Sequence, residues 1–479
     1  MTELHFPWLA ALTLLPLAGA AFVSRIKNVD RARKWCLAIS AVTFGCSVAA
    51  ALDFFLLHVE AAHDRWDVLA ALSGGEFFVL DELSAPLLPL TALLFFLTVV
   101  ATLPSKMRRF SFASTLLSQS ILLATLSCRL PWGVIALLAV STLPPYRELR
   151  ARGRPVRVYA LHMALFVALM AIGQLIVDAE GTRNAHSLWA VVPLLIAVLI
   201  RSGIAPLHCW MTDLFEHATF GTSLLYVTPL IGAYAAVRLL VPIAPDEVLR
   251  TMGILALATA VYAAGMALVQ TEVRRFFCYL FLSHSALVMV GLDTVNSIGL
   301  TGGLCVWLSV GLSMAGFGLT LRALESRHGR MTLVGYQGVY DHKPILAICF
   351  MLTGLASVGF PGTFGFLGTE LLVDGAVQTY PLLGAAVVVA AAMNGIAVVQ
   401  TYFKLFTGTR HVSSVPLSVR LRERFAVLVL AAMILGGGLF PQFIVASRHA
   451  AAEGILSRRQ QRTVEPPSLV GRWFFPHQQ

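Results

Sequence analysis

Six ionisable residues stand where an apolar chain ordinarily carries none: Arg201, His208 and Asp213, then His284, Glu370 and Asp374. A buried charge at membrane depth is costly, so residues of this kind mark a path for protons or cations by default. Two interruptions accompany them. Arg201-Ser202-Gly203-Ile204-Ala205-Pro206 and Gly359-Phe360-Pro361-Gly362 cut hydrophobic stretches in the two halves of the chain, with helix breaks at Pro206 and Pro361. A backbone broken inside a bilayer must be buried in protein or line a wet cavity, so paired breaks point to an ion or substrate path.

Each residue also has a plainer reading. Glu370 and Asp374 share a helical face at i,i+4. Glu370 is either a proton or cation site, or a cap of the second half-helix, or a partner for Arg201; Asp374, nearer the outer surface, is either part of that site or solvated. His208 and Asp213 flank Trp210 just past the first break, where they either line a cytoplasmic mouth or satisfy freed backbone groups. His284 has the titration range of a proton relay, and is otherwise a core histidine bonded to a carbonyl. Arg201 is a poor relay, since its pKa lies above about 12, but it can pin a cavity or an anion. Arg238 and Asp53 lie toward the ends of their stretches and are expected to snorkel.

The elements that must hold these residues are hydrophobic. With 57% hydrophobic and 13% charged residues and a mean hydropathy of +0.78, the chain reads as an all-α polytopic membrane protein. A span needs about 20 apolar residues, and that length predicts about fourteen transmembrane helices, near 7–24, 35–58, 80–102, 111–127, 131–146, 158–178, 188–205, 219–243, 251–270, 276–293, 297–321, 344–373, 381–405 and 425–445. The first lacks a basic start and a cleavage site before Arg25, and is expected to be retained. No linker divides the chain, so residues 1–445 read as one membrane domain followed by a basic tail, 446–479.

Basic residues set the orientation. Arg25, Lys27, Lys106, Arg108, Arg109, Arg147 to Arg157, Arg274, Arg275, Arg322 to Lys343 and Lys404 to Arg424 fall in loops of one parity, whereas the other loops carry only Arg65, Arg129, Arg183 and Arg250. The positive-inside rule makes the first set cytoplasmic and turns both termini outward, as in a bacterial-type inner membrane. The formal charge of +10 then follows from topology, without nucleic acid as a partner. The tail is the misfit: Arg448, Arg458, Arg459, Arg462 and Arg472 would lie outside, which argues against the last span or for an anionic partner.

No cofactor chemistry is expected. The seven cysteines are scattered without C-x-x-C or metal spacing, so iron–sulfur and zinc sites have no support. Phosphate-binding and dinucleotide glycine loops are equally missing from the sequence.

Gln270-Thr271-Glu272-Val273-Arg274-Arg275-Phe276-Phe277-Cys278-Tyr279-Leu280-Phe281-Leu282-Ser283-His284 resembles the "QTDIKRLLAYSSISH" segment of the antiporter-like subunits of respiratory complex I, especially subunit M. Pro206-Leu207-His208-Cys209-Trp210-Met211-Thr212-Asp213 is similar to their "PFHTWLPD", Leu355 to Thr363 to "LASLGLPGT", and Leu80 to Leu88 to "VDGLSAPLLLL". The resemblance implies fourteen helices in which spans 4–8 and 9–13 form inverted repeats with spans 7 and 12 broken. It also implies a place in a complex of the complex I, membrane-bound hydrogenase, Mrp antiporter or inorganic-carbon uptake kind. The partners would be other membrane subunits and a possible large soluble or peripheral one. Such subunits move protons or sodium along buried Glu, Lys and His residues.

This chain departs from that pattern. The family's span-5 acid has no counterpart in Trp132 to Leu143; its span-7 lysine is Arg201; its span-8 lysine and span-11 histidine fall on Leu230 and Val310. The family's span-12 charge falls on Thr369, one residue before Glu370, although Glu370 matches the acid of the subunit L version. The family does have a histidine where His284 stands. Two function classes follow: an ion-translocating subunit of the NADH-quinone oxidoreductase or Mrp type, with a path rebuilt around Arg201, His284 and Glu370, or a non-conducting scaffold on the same fold. Neither assigns a catalytic or redox site to the chain itself.

Overall fold

The computed structural model describes residues 2–65, 77–103, 107, 110–181, 186–340, 343–379, 381–408 and 421–463. Lys106, Arg108, Arg109, Arg183 and Arg472 lie outside the described residues.

The protein is a mostly helical membrane protein. Among the described residues, seven helices are long and apolar enough to cross a bilayer, eight if a pair bent by 79° after Leu439 counts as one. Five shorter apolar helices of 10–17 residues join them. This count falls below the expected fourteen crossings because several expected spans are shorter helices, Trp8–Ser24, Leu87–Val100, Phe112–Ser127 and Pro131–Ser141, and two others are each split into short pieces. Leu188–Ser202 is followed by Cys209–His217, and Pro344–Val358 by Phe364–Thr379.

Helix Ser297–His328 forms the centre. Its most apolar stretch is wholly buried, against 28% burial for the rim helix Arg157–Glu180. Asn296 starts it by accepting from the Gly299 N–H at 2.6 Å, a side-chain cap for an otherwise orphaned donor. Small residues let its neighbours approach closely. A Cβ at Gly302 would stand 2.3 Å from the Leu372 backbone nitrogen, and one at Gly303 2.7 Å from the Gly291 Cα. The central helix is thereby clasped between Val273–Asp293 and Phe364–Thr379.

Four features depart from the sequence reading. The fold is not purely helical: β1 (Thr2–Leu4), β2 (Ala61–Asp64) and β3 (Val79–Asp81) form a small sheet, β1 parallel and β3 antiparallel to β2. These segments pair because extended flanks of neighbouring helices meet there and must satisfy their backbone groups.

Second, the stretch expected as one span near 219–243 is interrupted. Helix Phe220–Val227 ends before Pro229, and the chain resumes at Ile231 after Leu230, which sits in the left-handed region at φ 52°. That conformation costs a bulky residue roughly 1–2 kcal/mol. Proline withholds an N–H, and its own carbonyl accepts from Trp307 Nε1 at 3.2 Å. A π-helical turn, Ala236–Leu240, follows.

Third, Arg238 does not snorkel. It reaches Asp81 on β3 through two bonds of 2.6 and 2.9 Å, and both side chains are almost fully buried. Arg458 stands near the same carboxylate, so the buried acid is held by two cations.

Fourth, the described part of the basic tail, to Thr463, packs on the chain itself. Helix Gln442–Thr463 runs across the expected boundary at residue 446. Arg448 donates to the Leu83 carbonyl at 3.2 Å and to that of Glu82. Arg459 donates to the Val241 carbonyl at 2.8 Å and pairs with Asp246, while Arg458 stands 3.9 Å from Asp81. Carbonyls and carboxylates of this chain, Asp81 on β3 among them, therefore receive these three arginines.

Candidate functional site: two interrupted helices

Both breaks are built on the same local device. Helix Leu188–Ser202 ends at Gly203 (φ 72°) and helix Pro344–Val358 at Gly359 (φ 87°). At the first, the Ile204 N–H bonds to the Leu199 carbonyl and the Gly203 N–H to that of Ile200; at the second, Phe360 bonds to Leu355 and Gly359 to Ala356. This pairing satisfies the last carbonyls of each helix, and glycine adopts its left-handed backbone without a Cβ penalty.

Beyond the glycines the breaks diverge. The first is closed by residues of other helices: the Ala205 N–H bonds to Thr259 Oγ1 at 3.0 Å, and Trp210 Nε1 donates to the Ile200 carbonyl at 2.7 Å. The second is closed within itself, with Thr363 Oγ1 donating to the Phe360 carbonyl at 2.6 Å. Phe360, Pro361 and Gly362 are exposed.

Arg201 lies in the last turn before the first break and is buried. Its Cζ stands 4.1 Å from the Tyr226 ring centre and 5.6 Å from that of Trp210, and Nη2 donates to the Tyr226 carbonyl at 3.3 Å. Tyr159 completes the aromatic wall, its ring 6.0 Å from Tyr226 and 6.3 Å from Trp210. Desolvated cation–π contacts are worth about 2 kcal/mol or more, and a cation at a helix C-terminus gains from the helix dipole. Among the described residues no carboxylate pairs with Arg201, and its Nε has no partner. Glu148, the acid closest in sequence to the stretch that lacks one, is engaged elsewhere. It accepts from Arg152 at 3.2 Å and from the Thr219 N–H at 2.7 Å, at the start of helix Phe220–Val227.

Glu370 and Asp374 lie on the exposed face of helix Phe364–Thr379. Neither forms an ion pair among the described residues, so Glu370 is not the partner of Arg201. Nor does it cap the half-helix, which begins six residues earlier at Phe364.

His208 is half-buried against the rings of Tyr262 and Tyr279, at 5.6 and 6.1 Å, with Nδ1 unpartnered. Asp213 holds His217 at 3.1 Å through Oδ1, leaving Oδ2 free of partners. Neither satisfies the backbone freed at the break, a task that falls to Thr259 and Trp210. His284 is fully buried, and its Nε2 has no partner. Beside it, Asn394 Nδ2 donates to Ser283 Oγ at 2.8 Å, and Ser283 donates to the Ala260 carbonyl at 2.8 Å. The structure thus gathers Arg201 with Trp210, Tyr226 and Tyr159, keeps His284 interior, and turns Glu370 and Asp374 away. The aromatic box was missed in the sequence; Trp210 was its one visible signal, standing next to the break.

Residues 159–394 match the family described as NADH:quinone oxidoreductase/Mrp antiporter, transmembrane. NAD(P)H-quinone oxidoreductase chain 4 of Gloeobacter violaceus is 27% identical across 97% of this chain and 96% of its own length. A Synechococcus elongatus chain 4 is 26% identical across 92% and 90%. A chain of respiratory complex I from Thermus thermophilus superposes with a TM-score of 0.81 at 23% identity, covering 94% of this chain and 99% of its own. A chain of the Mrp complex from Dietzia sp. does so at 0.80 and 18%, covering 95% and 98%. Family match, full-length relatives and shared fold agree: the chain is similar to the antiporter-like membrane subunits of the complex I and Mrp type.

Proposed function

We propose that this chain is a membrane subunit of an ion-translocating complex of the NADH-quinone oxidoreductase or Mrp type, in which it supplies position and a fixed positive charge and no carboxylate relay of its own. The observation that carries this reading is Arg201. A relay needs a group that gives up its proton, and an arginine in an aromatic box without a carboxylate neighbour cannot do so near neutral pH. The outward placement of Glu370 and Asp374 supports the same reading. A conducting version remains the second reading, favoured by the unpartnered Nε2 of buried His284.

The finer architecture belongs to this proposal. With each split helix and each shorter apolar helix taken as one crossing, the proposed architecture has fourteen crossings, spans 4–8 and 9–13 as inverted repeats, both termini on the outer side of a bacterial inner membrane, and residues 1–445 as the membrane domain, on which helix Gln442–Thr463 is fastened. Broken backbone at bilayer depth is tolerated where protein covers it, so exposed Phe360, Pro361 and Gly362 call for a neighbouring membrane subunit.

Ion flux through the intact complex in sealed vesicles tests the proposal with His284→Gln and Glu370→Gln. Flux equal to that of the unaltered complex is expected from both. Loss of flux from either, with subunit composition intact, assigns a conducting path to this chain.

A further inference from the structure

A cavity of about 300 Å³ opens where the arginine-rich loops gather, roofed by the end of helix Cys209–His217 and the last turns of Ser297–His328. Water takes about 30 Å³ in the liquid, so the space is large enough for a polyatomic ion with its hydration. Five arginines line it against two glutamates, and both glutamates are already held. Glu325 is bonded by Arg274 at 2.6 and 2.5 Å, and Glu423 by Arg327, which is not part of the wall. Arg152 has Glu148 at 3.2 Å. Arg154, Arg322 and Arg330 remain, none with a carboxylate partner among the described residues.

Arg322 is built into this position. Its Nη1 donates to the Thr98 carbonyl at 3.0 Å and its Nη2 to Thr102 Oγ1 at 2.9 Å, and its Cζ lies 5.1 Å from the Phe110 ring centre. Gly221 leaves room for it: a Cβ there would stand 3.1 Å from Cζ. Neutral acceptors orient the guanidinium without cancelling its charge. Three guanidiniums without a carboxylate in ion-pair contact around one wet space match the oxygens of a phosphate, which arginine binds through paired N–H donors. Basic pockets between membrane helices are also where acidic headgroups dock.

We propose that this cavity binds a phosphate group, carried either by the headgroup of an anionic phospholipid or by a free phosphate ion. Calorimetric titration of the intact complex, in uncharged detergent at fixed ionic strength, tests it. The probes are short-chain phosphatidylglycerol, inorganic phosphate and short-chain phosphatidylcholine. Saturable binding is expected, weakened at least tenfold in an R154Q/R330Q double variant, whose two altered side chains are exposed and should leave melting unchanged. Binding of phosphatidylglycerol without phosphate identifies the headgroup; competition by inorganic phosphate identifies the free ion. No saturable binding of either, equal binding in the double variant, or equal binding of phosphatidylcholine overturns the proposal. Ion flux is a separate readout, so loss of this site with unchanged flux leaves the functional reading standing.

Discussion

The two breaks share a backbone and differ in everything around it. Gly203 and Gly359 adopt the same left-handed cap with the same pair of hydrogen bonds. The first is then sealed by residues from other helices, Thr259 and Trp210, and its charge is enclosed by rings. The second relies on its own Thr363 and leaves Phe360 to the outside, 52% exposed. Local sequence suffices to interrupt a helix. Whether the interruption becomes an interior site or a surface is settled by what packs against it.

Trp210→Ala puts the most strain on that contrast. It removes a wholly buried ring, the donor to the Ile200 carbonyl and one wall around Arg201, and a loss of about 3–5 kcal/mol is expected for a buried tryptophan. Denaturant unfolding of the complex measures it; a change within about 0.5 kcal/mol, the range of surface substitutions, would mean that the first break does not depend on tertiary closure.

Thr259→Val is the milder probe of the same closure. The hydroxyl that accepts from the Ala205 N–H and donates to the Leu255 carbonyl is lost, and an orphaned buried donor costs about 1–3 kcal/mol. The Trp210 and Thr259 effects should both exceed that of truncating Phe360 at the second break.

At the second break, Phe360→Ala should change the unfolding free energy by no more than about 0.5 kcal/mol, as an exposed position does. Its effect should appear in partner retention, read as the yield of neighbouring membrane subunits after mild detergent extraction. Destabilisation of the chain comparable to Trp210→Ala, with full partner retention, would erase the distinction between an interior break and a covered one.

Much of the architecture was legible. Runs of apolar residues located the helices, and Gly203-Ile204-Ala205-Pro206 and Gly359-Phe360-Pro361-Gly362 located both breaks, because glycine and proline act through the backbone nearest to them. Pro229 carried the same signal for the third interruption, but the apolar run around it hid the change. Charges were harder. Glu370 reads as buried from its apolar neighbours, yet adjacent helical positions differ by about 100° in direction, and Glu370 falls on the open face. Arg238 reads as a snorkelling residue, but Asp81, far away in the chain, draws it into a buried pair.

Hydropathy and turn chemistry were therefore decided by the sequence itself: that this chain is membranous and mostly helical, that its helices break at Gly203 and Gly359, and which charges have no place in an apolar run. Those properties depend on a residue and its immediate neighbours. The tertiary structure alone decided that Arg201 meets aromatic rings and no acid, that Arg448, Arg458 and Arg459 fasten the last helix to distant helix ends and Asp81, and that three arginines share a cavity with no carboxylate to spare. The reason is physical: the energy of a charge depends on what lies within a few ångströms of it in space, and for these residues those neighbours come from remote parts of the chain.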